Sequence, residues 1–338
     1  MAEKLKPYDL VIVGAGIAGC ALAHGLATVA SGSRSKPLRI ALVERSFAEP
    51  DRIVGELLQP GGVEALRKLG MEDCLEGIGA VPVYGYCVVH DGKKVHIPYP
   101  EGKEGRSFHH GRFIQALRAK ALKDPGVEGV EASVSQLVKC EASGRVIGVR
   151  ATRRGADEKE VILGDLVLVA DGCFSSFRAE VLGEAYRKPL VRSYFVGAIL
   201  NDARLPIDKH GTVALVKGSG PVLLYQIDEH DTRILVDVRE PLPSDLKVRA
   251  LEANSEIIFS NLFTKDAYSG KHHARPTRIP SSSYPTSNRE GPTTTYAKLF
   301  HAPSQTGCGT NQGRSGIGRR LLEYAPSSYW RRNDRRAT

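Results

Sequence analysis

Three glycines carry the spacing with the clearest chemistry in this chain. Residues 10–19 read Leu-Val-Ile-Val-Gly-Ala-Gly-Ile-Ala-Gly, so Gly14, Gly16 and Gly19 form a Gly-x-Gly-x-x-Gly turn after an apolar run. Gly14 permits the tight turn, Gly16 lets the backbone approach a pyrophosphate, and Gly19 lets the following helix pack close to the strand. Since the first turn of a helix offers free N–H groups to phosphates, the pattern predicts a dinucleotide site.

An acid at the end of the next apolar run supports this interpretation. Residues 39–45 read Arg-Ile-Ala-Leu-Val-Glu-Arg, which places Glu44 at the end of a second strand, 25 residues after Gly19. A carboxylate there can accept hydrogen bonds from a ribose. The polar insert Ser31–Pro37 is predicted to be a loop that accounts for the long spacing. Two alternatives remain, namely a strand–helix turn without a ligand and a protein of this fold that binds only another protein.

These residues must be positioned by a mixed α/β framework. Buried parallel strands are predicted at Tyr8–Val13, Leu38–Val43 and Leu166–Ala170, and helices at Ile17–Thr28, Gly61–Leu69 and Arg112–Leu122. Antiparallel strands are predicted at Gly85–His90, Lys94–Ile97, Arg145–Thr152, Glu160–Leu163, Val213–Val216, Val222–Ile227 and Arg233–Val238. The order indicates a Rossmann-like, doubly wound nucleotide-binding domain (residues 1–78 and 106–185) with a β-rich substrate domain (79–105 and 186–247) threaded through it.

Residues 248–338 differ from the rest of the chain. They hold 14 Lys or Arg and 6 Asp or Glu, so most of the formal net charge of +9 lies there. The segment is rich in Ser, Thr, Pro and Gly and lacks hydrophobic periodicity, which predicts a poorly ordered tail. A nucleic-acid-binding protein that uses this tail is an alternative, but it is disfavoured because nucleic-acid-binding surfaces normally place their charge on a folded scaffold.

Other bulk features exclude several classes of protein. The six cysteines are scattered without Cys-x-x-Cys spacing, which argues against a disulfide framework or a zinc site and for a reducing compartment. We expect neither a signal peptide nor a transmembrane segment, because the first strand follows Met1 closely and no apolar run is long enough to span a bilayer.

Further polar residues follow predicted strands or precede predicted helices. Asp171 and Gly172 end the buried run Leu166–Ala170, so Asp171 could bind a ribose or ribityl hydroxyl, or could instead cap a following helix. Arg112, near a helix start, could pair with a pyrophosphate or could be a surface charge. For His109 and His110 we favour packing and hydrogen bonding over proton transfer.

Four strings together resemble the squalene epoxidase family, especially its fungal members. They are Asp51–Gly62 (DRIVGELLQPGG), Gly105–Phe113 (GRSFHHGRF), Val169–Arg178 (VADGCFSSFR) and Ser219–Arg239 (SGPVLLYQIDEHDTRILVDVR). The resemblance covers about residues 8–247. It implies a para-hydroxybenzoate-hydroxylase-like fold and an FAD-dependent monooxygenase that converts squalene to 2,3-oxidosqualene in sterol biosynthesis.

The resemblance also implies partners and residue roles. The partners are O₂, a separate NADPH-dependent reductase and the endoplasmic reticulum membrane surface, with no nucleic acid and no metal. The side chains would act by orienting the flavin and excluding water, without an acid–base dyad. The implied roles are Ile17 and Ala18 after the phosphate turn, Glu44 and Arg45 at the adenosine ribose, Arg52 and Arg112 on FAD, Val130 beside the adenine, and Tyr86 at the squalene pocket.

The next signature of that family, Gly-Asp-x-x-Asn-Met-Arg-His-Pro-Leu-Thr-Gly-Gly-Gly-Met, is absent from this sequence. However, the codons of Arg320–Asn333 can encode most of it when they are shifted by one base. Trp330 has the single codon TGG, so its shifted codon must encode glycine. We infer a frame-shifted or mis-spliced product, or an erroneous gene prediction, with the break near Lys247, and expect little or no activity from this chain. The alternatives are a non-catalytic FAD-binding remnant and a flavin hydroxylase of another small apolar metabolite.

Overall fold

A computed structural model describes residues 7–239, apart from residues 34, 192, 218 and 219, together with a two-residue strand at 302–303. The strands in chain order are β1 Tyr8–Val13, β2 Ile40–Glu44, β3 Leu57–Leu58, β4 Val81–Val83, β5 Gly85–His90, β6 Lys93–Pro98, β7 Gly105–Ser107, β8 Val127–Lys139, β9 Val146–Arg153, β10 Lys159–Val169, β11 Ser193–Asn201, β12 Gly211–Leu215, β13 Val222–Gln226, β14 Asp231–Arg239 and β15 Ala302–Pro303. The helices are α1 Ile17–Ser33, α2 Pro60–Lys68, α3 His110–Ala121 and α4 Arg178–Leu182, with 3₁₀ turns at Glu72–Leu75 and Gly183–Ala185. The tail predicted for residues 248–338 otherwise lies outside the described residues.

The first sheet closes into a barrel in the order β1-β10-β9-β8-β2. Strand β1 runs parallel to β2 and β10, and β2 runs parallel to β8. The prediction of two separate strands at Glu160–Leu163 and Leu166–Ala170 is wrong, because both belong to β10. Its first half pairs antiparallel with β9 and its second half pairs parallel with β1. Gly164 lies where the pairing changes, so the glycine marks a change of neighbour within one strand rather than a turn.

Strand β1 separates two apolar cores. Its alternation directs Leu10 and Ile12 to the helices, and Val11 and Val13 to the barrel interior. Helix α1 packs on this layer through small buried residues, including Gly19, Ala23 and Ala27. The loop predicted from Ser31 begins later than expected, because α1 continues to Ser33. The hydroxyls of Ser31 and Ser33 donate to carbonyls four residues earlier, each at 2.9 Å.

The second sheet has the order β15-β11-β14-β13-β12-β5-β6. Its β5–β6 hairpin turns at Asp91 and Gly92, whose φ values of 46° and 73° match the predicted Asp-Gly turn. Strand β5 also pairs parallel with β12, so a hairpin from early in the chain joins strands from beyond residue 192. This arrangement confirms the predicted α/β class with an interleaved β-rich part. Strands β3, β4, β7, β8, β11 and β15 were not predicted. Within the described part of the chain, no helix is both long and apolar enough to cross a membrane.

Candidate dinucleotide-binding site

The three glycines of the turn differ in how closely other atoms approach them. Gly14 has φ +105°, and its backbone N–H donates to Val43 at 2.7 Å. A Cβ on Gly14 would lie 2.5 Å from the Ala170 carbonyl oxygen, and one on Gly19 would lie 1.8 Å from the Gly14 carbonyl oxygen. By contrast, a Cβ on Gly16 would meet no atom within 4 Å. Gly14 and Gly19 are therefore required by the fold, whereas Gly16 borders open space, and its approach to a pyrophosphate stays a prediction.

Glu44 reaches the turn from the end of β2. Its Oε2 accepts a hydrogen bond from the Ala15 N–H at 2.9 Å, and its Oε1 lies 3.4 Å from the Ser46 nitrogen. The side chain is 16% exposed, so the carboxylate lies at the edge of the core. The structure thus brings the predicted acid and the predicted phosphate turn into direct contact. A carboxylate with one oxygen fixed and the other less engaged can accept from a ribose hydroxyl.

Arg118 belongs to the same cluster and was missed by the sequence interpretation. It is 5% exposed and donates to the carbonyl oxygens of Ala15 at 2.9 Å and Ala48 at 3.0 Å. Its second terminal nitrogen lies 3.8 Å from Glu44 Oε2. A signal was present in the sequence, since Arg118 occurs four residues after Ile114 and therefore falls on the apolar face of α3.

Asp171 lies beside the turn, and Arg52 reaches the segment that follows Asp171. Asp171 follows β10, and an ideal Cβ on Gly14 would lie 2.9 Å from its Cα. The alternative role of Asp171 as a helix cap is wrong, because α4 starts only at Arg178. The segment after Asp171 is held by Arg178, which donates to the Gly172 carbonyl at 2.8 Å. Arg52 reaches the same segment, with its guanidinium 3.4 Å from the Cys173 sulfur.

Arg112 forms an ion pair with the second sheet. Its guanidinium is hydrogen-bonded to Asp228, which lies between β13 and β14. Partial burial acts to raise the pKa of Asp228, but the hydrogen bond from Arg112 acts against it, and the net result is a lowered pKa. Arg112 is 43% exposed on its side chain, so it lies at the surface, and its contact with a pyrophosphate stays a prediction.

The two neighbouring histidines make the structural contacts that the sequence interpretation favoured. His109 Nε2 lies 3.1 Å from an Asp231 carboxylate oxygen. His110 is buried, with its Nδ1 3.0 Å from the Gly55 carbonyl oxygen, and burial lowers its pKa. A neutral His110 that donates from Nδ1 fixes the chain at Gly55.

Four other proposed contacts occupy different environments. Ile17 and Ala18 begin α1 and are exposed, and Arg45 is exposed after β2. Val130 is 1% exposed and belongs to the barrel core, and its backbone pairs with Val43 one residue before Glu44. Contact of Val130 with an adenine stays a prediction.

Tyr86 lies on the face of the second sheet that packs against the Asp51–Gly62 segment. Its hydroxyl is hydrogen-bonded to the side-chain amide of Gln59, whose oxygen accepts from Tyr99 at 2.7 Å. The rings of Tyr86 and Tyr99 meet edge to face with centroids 5.8 Å apart. An apolar cluster on this side of the sheet consists of Ile53, Val54, Leu57, Phe195, Ile199, Leu223, Tyr225, Ile227 and Leu235. The Tyr86 ring lies near Leu57 of this cluster, since a Cβ on Gly211 would lie 2.9 Å from the ring and 3.5 Å from Leu57. A role for Tyr86 at the squalene pocket stays a prediction.

A buried ion pair links the Asp51–Gly62 segment to the second sheet. Arg233 donates to both carboxylate oxygens of Glu56, at 2.7 and 2.8 Å, and the Tyr225 hydroxyl donates to Glu56 at 3.3 Å. Glu56 is 1% exposed and Arg233 is 6% exposed. The sequence interpretation missed this pair, whose members are 177 residues apart.

Comparisons of sequence agree with the resemblance. Residues 163–253 match the family model described as squalene epoxidase. The chain is 47% identical over 254 residues to squalene epoxidase erg1 of Aspergillus fumigatus, covering 72% of this chain and 50% of that protein. It is 40% identical over 247 residues to the squalene monooxygenase of Mus musculus, covering 71% of this chain and 41% of that one. The chain thus spans about half the length of the curated relatives it matches.

Comparisons of structure identify the fold. PqsL, a probable FAD-dependent monooxygenase from Pseudomonas aeruginosa, superposes with a TM-score of 0.59 at 19% identity, covering 74% of this chain and 66% of that one. The myxobacterial chondrochloren halogenase CndH, a variant of FAD-dependent halogenases, gives a TM-score of 0.64 at 15% identity, covering 77% and 60%. At these identities the likeness concerns the fold, and it confirms the predicted para-hydroxybenzoate-hydroxylase-like class.

Proposed function

Because this chain belongs to the squalene epoxidase family over the 72% of its length that aligns, we propose that it binds FAD and derives from an FAD-dependent monooxygenase that epoxidises squalene. The observation that carries the proposal is the contact between the phosphate turn and Glu44. Gly16 is open to the outside, and Ala15 and Glu44 are hydrogen-bonded. The residues present therefore fit the ADP half of a dinucleotide.

In this proposal each polar group at the turn has a defined task. The N–H groups at the start of α1 would bind the pyrophosphate, and Glu44 would accept from the adenosine ribose. Asp171, which lies beside Gly14, and Arg52, which reaches Cys173, would hold the phosphate and ribityl region. When bound and reduced, FAD supplies the activation of O₂ that oxygen transfer to an alkene requires.

The substrate side would be the apolar cluster around Tyr86. Squalene is a hydrocarbon, so its binding requires apolar side chains and the exclusion of water rather than charged contacts. The Gln59–Tyr86–Tyr99 hydrogen bonds satisfy the polar atoms that border this face. A separate NADPH-dependent reductase, sterol biosynthesis as the pathway and the endoplasmic reticulum membrane as the location belong to the same proposal, and the family resemblance supports them.

A second candidate function is a remnant that binds FAD without turnover. It is favoured because the codons of Arg320–Asn333 can encode most of the missing family signature in a shifted frame. The two candidates differ in turnover and agree on FAD binding.

The experiment expresses this chain and a version with the frame restored, and supplies FAD, NADPH, a reductase and squalene. Bound flavin in both proteins, with oxidosqualene formed only by the restored version, supports the remnant; oxidosqualene from both supports the enzyme. Gly16→Ala is the matched variant for the site. It should keep the fold, because its Cβ meets no neighbour, and yet lose FAD affinity. Absence of flavin binding in both proteins would refute the proposal.

A further inference from the structure

Arg118 joins two segments through polar contacts while almost fully buried. Its side chain is 7% exposed and contacts Ala15 in the phosphate turn, Glu44 at the end of β2 and Ala48 after it. Its guanidinium carbon also lies 5.4 Å from the centroid of the Phe47 ring. Burying a charge is costly unless it is paired and hydrogen-bonded, and here each contact fixes a neighbour of the dinucleotide site.

The bond to Ala15 determines the direction of the next peptide group. Ala15 has both backbone groups engaged, because its N–H donates to Glu44 and its carbonyl accepts from Arg118. In a planar trans peptide, the carbonyl and the following N–H point in opposite directions. The Arg118 hydrogen bond therefore directs the Gly16 N–H away from the core, on the turn where a phosphate would lie.

The contact with Glu44 selects which carboxylate oxygen is left for a ligand. Arg118 and the Ala15 N–H both lie at Oε2, at 3.8 and 2.9 Å, whereas Oε1 has the Ser46 nitrogen at 3.4 Å. A carboxylate oxygen can accept more than one hydrogen bond, so Oε1 keeps capacity for a ribose hydroxyl.

We propose that Arg118 is a positioning residue of the dinucleotide site, which orients the Gly16 N–H toward the phosphates and Glu44 Oε1 toward the ribose. The proposal rests on the proposed binding of FAD and deepens it. Arg118 touches neither the phosphates nor the ribose itself. Its effect should therefore appear in the affinity for any ligand that carries the ADP group.

The test uses the full chain with Arg118→Met, Arg118→Lys and the control Lys120→Met. Lys120 lies on the same helix and pairs with Asp73 at 2.7 Å, without contact to the turn. Dissociation constants for FAD and for ADP are measured by calorimetry. Arg118→Met should weaken both by at least about tenfold, Arg118→Lys should recover part of the loss, and Lys120→Met should stay within about twofold of the parent.

Two further measurements separate positioning from general stability. The double variant Glu44→Gln/Arg118→Met should lose less ADP affinity than the product of the two single fold-losses, because Arg118 acts partly through Glu44. In the ligand-free protein, Arg118→Met should accelerate hydrogen exchange at residues 14–19 and leave the β13–β14 hairpin unchanged. If Arg118→Met does not fold, the same comparisons with Arg118→Lys test whether Arg118 positions the turn.

The outcomes distinguish this proposal from the assignment of FAD. ADP and FAD affinities within twofold of the parent in both Arg118 variants would overturn the positioning role, whatever their thermal stability. If the parent chain binds neither ligand, the proposed function fails. In that case faster exchange confined to residues 14–19 still supports the positioning of the turn, and unchanged exchange overturns it.

Discussion

The buried Glu56–Arg233 pair should be the interaction that contributes most to holding the loop after β2 against the second sheet. Glu56→Gln keeps the shape of the side chain but removes its charge, which leaves the Arg233 guanidinium uncompensated at 7% exposure. Removing one partner of a buried ion pair costs about 3–5 kcal/mol. The guanidinium cannot escape this cost by losing its proton, because arginine keeps its charge at neutral pH even without a carboxylate partner.

This cost would be a large part of the free energy of unfolding, which is only about 5–15 kcal/mol for a typical folded protein. Urea denaturation of the parent and variant measures it as a fall in the midpoint at constant slope. The control is Glu180→Gln, which breaks an exposed pair with Lys139 at 2.7 Å and should cost less than about 1 kcal/mol.

A double variant gives the sharper test. Glu56→Leu/Arg233→Met replaces both charges with apolar side chains and should recover most of the loss seen in Glu56→Gln, because no unpaired charge remains. A cost below about 1 kcal/mol for Glu56→Gln, or a double variant that loses the sum of both single losses, would refute this reasoning.

Three further predictions concern single side chains. Glu44→Ala should weaken FAD binding by about 1–3 kcal/mol through the lost charge-assisted hydrogen bond, and unchanged flavin affinity would contradict its ribose role. Burial raises the pKa of Cys20 to about 12 and that of Cys74 to about 11, whereas the Ser143 hydrogen bond lowers the pKa of Cys140. Iodoacetamide at neutral pH should therefore label Cys140 well before the two buried thiols, as read by mass spectrometry, and equal rates would count against this order. Since burial lowers the pKa of His110 below 6.5, its contribution to stability is present above pH 6.5 and is lost as the pH falls toward the folded value. His110→Gln should flatten that part of the stability profile, and a parallel curve would argue against it.

The parts of the fold that local pattern determines were predictable. Strand β1 has the predicted bounds, because its apolar run is bounded by a charged stretch and by Gly14. The β5–β6 hairpin followed from Asp91 and Gly92. Strand β8 was not predicted, because its buried residues do not alternate regularly and its pairing with β9 shifts after Val134. Such an irregularity depends on the partner strand, which a local pattern does not contain.

In the candidate site, too, contacts within a local motif were predictable and contacts between distant elements were not. The glycine turn and Glu44 could be predicted because their spacing within one β-α-β unit fixes their meeting. Arg118 lies 103 residues from Ala15, and Arg233 lies 177 from Glu56, so these contacts depend on how separate elements pack. Arg118 is a charged residue on an otherwise apolar helix face, and that conflict between residue type and environment was the available signal. Arg233 shares its face of β14 with Asp231 and Asp237, so the sequence held no such signal for it.

The residues proposed to bind FAD and the residues proposed to line the substrate face lie in different parts of the fold. The phosphate turn, Glu44, Arg118 and Asp171 all come from the first 171 residues and are already in mutual contact or adjacent within the barrel domain. The proposed substrate face instead needs the second sheet, which is fastened to the loop before α2 by Glu56 and Arg233. A break in the reading frame near Lys247 would leave both sets in place, because β14 ends at Arg239, but it would remove the family signature that is absent from this sequence and that the resemblance implies completes the flavin site. Flavin affinity is therefore the property that should survive in this chain, and oxidosqualene formation is the one that depends on the correct frame.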